Sequence, residues 1–219
     1  MVETLRALAQ KNNYGKVWVK APARDARKLE TLGFDNEGTI PGYFNMNEDA
    51  ACMGMFVDSE RRNRPTLDEE NEFIEKALAG RPGTKSPKPL PTGYTTALFT
   101  DADAPELAAL YDEVFPTYPY PITDPEYLKE TARTHILYRL VRNADGKLVA
   151  AASAETNPNY QNSEMTDFAA LPSERGKGLA LFLLHELERD AVHHFGIRCF
   201  YTIARALEPG VLRTFHHAG

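Results

Sequence analysis

The stretch with the most chemistry in this chain is Glu164-Met165-Thr166-Asp167-Phe168-Ala169-Ala170-Leu171-Pro172-Ser173-Glu174-Arg175-Gly176-Lys177-Gly178-Leu179-Ala180. It reads as a buried strand, a tight basic turn and the start of a long apolar helix. Gly176 and Gly178 lack a Cβ, so the backbone can turn sharply and approach a ligand closely. The first N–H groups of the following helix have no internal acceptor, and the helix dipole adds partial positive charge at the same spot. Arg175 and Lys177 contribute formal charge. These features describe an anion cradle suited to a diphosphate. For an isolated Gly-x-Gly the alternative is a helix start with solvated basic residues. Here a strand runs straight into the turn, Pro172 limits the chain before it, and Ala180 is small where the helix must sit close to a ligand. Two carboxylates, Glu164 and Asp167, lie on the same strand and offer proton acceptors.

The elements that must hold these residues follow from periodicity. A strand is expected over 163–171 and a helix over Arg175 to Phe195, with Leu179, Leu183, Leu184, Leu187 and Ala191 on its apolar face and Gly196 closing it. Upstream, Tyr94 to Thr100 reads as a strand, Ala104 to Val114 and Asp124 to Arg133 as helices, and Ile136 to Val141 with Lys147 to Ala154 as a hairpin turned at Asn143-Ala144-Asp145-Gly146. Cys199 to Ile203 follows as a strand and Glu208 to Ala218 as a helix. Residues 80–93 are so rich in proline and glycine that neither helix nor sheet can continue, and they read as a linker. Gly83-Thr84-Lys85-Ser86 within it looks like a phosphate loop, but its upstream glycine is misplaced and no apolar strand feeds it. Before the linker, residues 1–79 give helix Leu5 to Asn12, strand Lys16 to Lys20, helix Asp25 to Leu32, strands Glu37 to Phe44 and Ala50 to Val57, and a helix over 66–79. The helix–strand–helix part repeats the pattern of 184–219; a generic α+β arrangement is the alternative.

Composition excludes several classes. A formal charge of −6 with basic residues spread along the chain gives no field for nucleic acid. No stretch has the apolar length of a signal peptide or membrane span, so a cytoplasmic protein without a membrane partner is expected. Cys52 and Cys199 sit in apolar runs and read as buried reduced thiols. The histidine pairs lack metal-ligand spacing, and no metal is expected. A homodimer is compatible with the sequence.

Arg175-Gly176-Lys177-Gly178-Leu179-Ala180 fits the Q/R-x-x-G-x-G/A signature, and residues 94–219 resemble a GCN5-related N-acetyltransferase (GNAT). The resemblance implies an α+β fold with α/β/α layers: a mixed, mostly antiparallel sheet with helices on both faces. By that pattern two further strands should follow, so either the domain is cut short at residue 219 or another segment completes its sheet, and residues 1–79 resemble the second half of the same fold without its cofactor site. The implied cofactor is acetyl-CoA, held by Arg175, Gly176, Lys177, Gly178, Leu179 and Ala180 at its diphosphate and by Phe168, Ala169 and Ala170 along the strand. A backbone N–H near Ala169 or Ala170 would face the oxyanion.

Transfer to an amine needs a neutral nitrogen, which costs an alkyl amine of pKa about 10.4 about 4.6 kcal/mol at pH 7. Glu164 is the base favoured by the resemblance, and a solvated strand-end carboxylate is its alternative. Asp167 points to the opposite face unless a bulge intervenes; pairing with a substrate ammonium or a capping role are its other readings. The family's usual tyrosine acid is replaced by Phe215. Tyr201, His216 or water could substitute, and Tyr201 also fits a core or substrate-wall position. Tyr118 and Tyr120 in the proline-stiffened run 115–121 are candidate substrate walls, or a packed turn. The strings Met165 to Pro172, Tyr201 to Ala206 and Ile40 to Asn45 resemble the beta-lysine N-acetyltransferases over nearly the whole chain. That resemblance implies N-epsilon-acetyl-beta-lysine, an osmolyte, as product, with Glu155, Asp167 and Arg205 as groups for the substrate's second ammonium and carboxylate. A catalytically silent acyl-CoA-binding module, and an enzyme for another amine or a peptide, are the rival readings.

Overall fold

The computed structural model describes residues 2–63, 65–80, 82–83 and 86–218. Arg81, Thr84 and Lys85, and with them half of the phosphate-loop look-alike, lie outside the described residues.

The larger part carries a five-stranded sheet ordered β4 (Thr95–Leu98), β5 (Ile136–Arg142), β6 (Leu148–Asn157), β7 (Asn162–Ala170), β8 (Cys199–Tyr201). All pairs are antiparallel except β7–β8. Strand β6 is buried along nearly its whole length, and its run Ala150-Ala151-Ala152 lets helices approach both faces. On one face lies α7 (Leu179–Phe195), whose Leu183, Leu184 and Leu187 are almost fully buried; each contributes about 1.5–3 kcal/mol by leaving water. Arg139 on β5 donates to Glu186 (2.7 Å) and Asp190 (3.0 Å) of α7, fixing the helix across the sheet. On the other face pack α5 (Ala104–Val114) and α6 (Pro125–Ala132). Asp124 caps α6 by accepting from the Glu126 N–H at 2.9 Å, and Pro125 takes the first helical position, where its missing donor is harmless. The last described element is α8 (Pro209–Ala218).

The N-terminal part is α1 (Val2–Lys11), β1 (Lys16–Pro22), α2 (Ala26–Glu30), β2 (Asp35–Phe44) and β3 (Glu48–Phe56), followed by a short α3 (Ser59–Arg62) and α4 (Leu67–Ala77). Its three strands form a separate antiparallel sheet with β3 in the middle, covering a small core of Phe34, Ala51, Met53 and Met55.

Several of the expected elements are shorter than periodicity suggested, and for two of them the neighbouring chain gives the reason. The strand at Cys199 ends at Tyr201, because beyond Glu164–Tyr201 the partner strand β7 diverges and offers no ladder. The helix expected from Arg175 begins at Leu179; residues 175–178 are spent on the turn.

The side of β8 away from β7 is where a further strand would add, and β2 lies there without sharing a backbone ladder. Side chains and loops join the two instead. The Asn162 amide donates to the Tyr43 carbonyl (2.9 Å), the Asn45 N–H to the Tyr160 carbonyl (2.9 Å), and Cys199 Sγ to the Pro41 carbonyl (3.4 Å). Cys52 and Cys199 are buried and unpaired. Among the described residues no helix is long and apolar enough to cross a membrane, and no cluster of metal-ligating side chains occurs.

Candidate active site

Strand β7 leaves the sheet through Leu171 and a 3₁₀ turn at Pro172–Glu174, then passes Arg175 in extended conformation into Gly176 and Gly178. Their φ values are +80° and +82°, in the left-handed region that a side chain disfavours. A Cβ on Gly176 would meet nothing within 4 Å. The space over the turn is therefore open, and glycine is demanded by backbone conformation. The N–H groups of Gly176, Lys177, Gly178, Leu179, Ala180 and Leu181 find no acceptor among the described residues, and the first bond back into the helix is Phe182 N–H to the Gly178 carbonyl (3.1 Å). Donors without an acceptor among the described residues, a helix N-terminus and an open face fit a diphosphate.

The two basic side chains differ. Lys177 donates to Glu174 (2.8 Å) and to the Tyr94 hydroxyl (2.9 Å), and the hydrogen bonds that Glu174 accepts from Lys177 and Tyr94 hold its carboxyl below the usual carboxylate range. Arg175 is exposed. Lys177 thus braces the turn to β4, leaving Arg175 as the basic group freer to meet an anion.

Beside this turn the sheet opens. β7 pairs with β8 only over residues 162–164, so from Met165 onward that edge of β7 faces a splay containing Phe168, Ala169 and Ala170. Phe168 meets Phe215 of α8 edge to face, with ring centres 5.2 Å apart. The position of the expected tyrosine acid is therefore an apolar cover on the strand.

At the mouth of the splay, three carboxylates gather on one face. Glu155 on β6 stands directly across from Glu164 on β7, which puts both side chains on the same side of the sheet. Asp167 joins them through a bulge. The register slips between Ala151 and Ser153, and Asp167 takes φ +52°, a left-handed conformation that Asp tolerates better than most residues. Its carboxylate accepts from Ser153 Oγ (2.6 Å) and from the Tyr118 hydroxyl. Burial pushes the Asp167 carboxyl above its ordinary range, and the hydrogen bonds from Ser153, Tyr118 and Thr166 offset part of that. Burial, with the charges of Asp167 and Glu164 beside it, raises Glu155 to about 7, while Lys20 acts in the opposite direction. Carboxyls raised by burial, as Glu155 and Asp167 are, and in Glu155 also by a neighbour's charge, are a common mark of a functional site.

Lys20 arrives from β1 of the N-terminal sheet. Its Nζ donates to the Tyr201 hydroxyl (2.6 Å) and lies 3.4 Å from Glu164 Oε2. The rings of Tyr201, Tyr43 and Trp18 surround it at 4.6, 5.6 and 5.7 Å. Burial first, and then the neighbouring Glu164 charge, push the Tyr201 phenol well above its ordinary range. Such a phenol suits a hydrogen-bonding wall better than a donor of protons to a thiolate. Tyr118 lines the site through Asp167. Tyr120 is 56% exposed, and the hydroxyl that meets Asp167 is that of Tyr118. Arg205 is exposed and donates to the Thr117 carbonyl (3.3 Å), bracing the 115–121 loop.

Residues 105–218 match the acetyltransferase (GNAT) family. The chain belongs to that family. It is an N-acetyltransferase, and enzymes of this fold use acetyl-CoA. The acetyltransferase is 32% identical to a beta-lysine N(6)-acetyltransferase of Methanosarcina mazei, over 98% of this chain and 85% of that protein. It is 30% identical to a protein of the same name from Methanococcus maripaludis, over 100% of this chain and 78% of the other. An N-acetyltransferase of Bacillus subtilis, YodP, is 32% identical over 97% of this chain and 76% of its own length. Among solved structures, a spermidine N-acetyltransferase from Vibrio cholerae superposes with a TM-score of 0.48 at 16% identity, covering 59% of this chain and 80% of the other. That level of likeness says nothing of substrate.

Of the residues singled out from sequence, Glu155, Glu164, Asp167, Tyr118 and Tyr201 converge. Lys20 was not among them. It is 144 positions from Glu164, and no local pattern marks a lone strand lysine as belonging to a distant site.

A pH test separates Glu155 from its neighbours. Its folded pKa lies above the ordinary 4.5, so the fold is favoured by the protonated form and loses stability as pH rises towards and through about 7. Glu155→Gln, which mimics the protonated form, is expected to raise the melting temperature at pH 8 and leave it nearly unchanged at pH 5. Equal shifts at both pH values would show that Glu155 is not held in a raised state.

Proposed function

We propose that this acetyltransferase moves the acetyl group of acetyl-CoA to the terminal amine of a small diamino acid of the beta-lysine type. The observation that carries the reading is the gathering of Glu155, Glu164 and Asp167 on one face of the sheet, at the mouth of the splay. Lys20 balances only part of the charge of three gathered carboxylates, and a diamine supplies further cationic groups to meet them. The names of the two archaeal relatives, each similar over most of its length, support beta-lysine within that class.

The roles follow from position. The free N–H groups of residues 176–181 and the Arg175 guanidinium hold the diphosphate, and the Phe168–Ala170 edge of β7 lines the acyl arm. Acetyl-CoA supplies the activated thioester carbonyl. Glu164, 21% exposed at its side chain, takes the proton from the incoming ammonium directly or through one water. Asp167 is buried, committed to Ser153 and Tyr118, and keeps the bulge and the Tyr118 wall in place. Glu155 meets the acceptor's second ammonium, and that new charge would draw its carboxyl towards the ionised form.

The reading is tested by incubating the purified chain with acetyl-CoA and lysine, beta-lysine, ornithine and 1,n-diamines while following thiol release and locating the acetyl group by mass spectrometry. Turnover of beta-lysine at its terminal amine, with kcat/KM above the other acceptors, is expected. Absence of turnover with every diamino acid would overturn the reading.

A further inference from the structure

We propose that Lys20 is the receptor for the acceptor's carboxylate, so that the N-terminal sheet makes this enzyme select amino acids over plain amines. The inference rests on the diamino-acid reading above and assigns a role to a part of the chain that precedes the family match.

An ammonium has three donors. Lys20 places one on Tyr201 and aims another at Glu164, and the described residues offer no acceptor for the third. The Glu164 contact, at 3.4 Å, is long beside the 2.7–2.9 Å usual for a charge-assisted bond, so the lysine can turn towards a better anion at small loss. Its position is already set. Three aromatic rings enclose it, its side chain is 22% exposed, and little rotamer freedom is left to lose when a ligand arrives.

The surroundings explain why such a cation is needed. Glu155, Glu164 and Asp167 attract an ammonium and repel a carboxylate, so a plain diamine would suit them better than an amino acid. Lys20 is the positive charge built among these acids, and it reverses that preference at one point. Arg205, the alternative from the sequence, is exposed and directed to the Thr117 carbonyl. The backbone that carries Lys20 is held rigidly for the purpose. β1 is paired along its whole length with β3, and the sheet is tied to the catalytic domain by the Asn162–Tyr43, Asn45–Tyr160 and Cys199–Pro41 contacts.

The experiment compares each diamino acid with the diamine that remains when its carboxylate is removed, in wild type, Lys20→Met and Lys20→Arg. The readout is the ratio of kcat/KM for the acid to kcat/KM for the diamine. Lys20→Met is expected to lower that ratio about 10- to 100-fold, the range of one lost charge-assisted bond, with most of the change in KM for the acid. Lys20→Arg should recover part of it, since it keeps the charge. If Lys20→Met depresses both acceptors equally, or neither, the lysine acts only on Glu164 or on packing and the proposal fails. Should Lys20→Met not fold, Lys20→Gln reports the same ratio. The substrate reading is judged separately, on wild type: if another diamino acid replaces beta-lysine, the ratio is taken with that acid, and if none is turned over both proposals fall.

Discussion

Glu164→Gln should lower kcat by about 10²- to 10⁴-fold, the usual contribution of a positioned general base. The size of the effect follows from geometry. Glu164 is partly exposed at the mouth of the splay, directly across from Glu155 and adjacent to the last residue of β8 that pairs with β7. Asp167 is closer to the acyl position along the strand, but it is buried and held by Ser153 and Tyr118, so an incoming amine has less access to it than to Glu164. The amide of the variant cannot accept a proton, yet it keeps the shape of the site. Calorimetric affinity for CoA should therefore be unchanged, because the diphosphate turn begins eleven residues later and faces a different part of the cofactor. A loss smaller than about threefold would remove Glu164 from the mechanism and move attention to Glu155. At high pH part of the lost rate should return, since more of the amine is then neutral without help.

The second large effect concerns the turn. Arg175→Glu is expected to raise the dissociation constant for CoA about 10- to 100-fold, through loss of one charge-assisted contact and gain of a repulsion. Lys177→Met should cost less than about tenfold. Two basic residues two positions apart would be equivalent on a simple charge count, but Lys177 is tied to Glu174 and Tyr94 whereas Arg175 is exposed. The two variants are compared by titration calorimetry at two salt concentrations, where the Arg175 effect should shrink as ionic strength rises. Equal losses would mean that Lys177 leaves Glu174 when cofactor binds. An unchanged dissociation constant in Arg175→Glu would place the diphosphate elsewhere.

Local chemistry explains why the glycine turn and the helix behind it were legible from residues alone. Gly176 and Gly178 are needed for positive φ, Pro172 closes the preceding strand, and the leucine spacing from Leu179 to Leu187 buries one helix face; each requirement is met within a few neighbouring positions. The same holds for the Asn143–Gly146 hairpin and the Asp124 cap. The helix start was misjudged by one turn because apolar periodicity does not register the residues consumed in bending the chain. Strand β8 was overestimated for a different reason: its sequence supports extension to Ile203, but a strand lasts only as long as its partner, and β7 has by then diverged.

The sequence by itself therefore determined the glycine turn, the long helix behind it and the acidic residues on two adjacent strands, since all of these rest on short-range spacing, while the family was read from its resemblance to a known signature. Tertiary structure alone decided which of those acids meet. It took a one-residue bulge to turn Asp167 to the face of Glu155 and Glu164, packing across 83 residues to bring Tyr94 to Lys177, and a second sheet packed beside β8 to deliver Lys20. Such contacts depend on register and on packing between distant segments, and a shift of one residue along a strand would send every side chain to the opposite face.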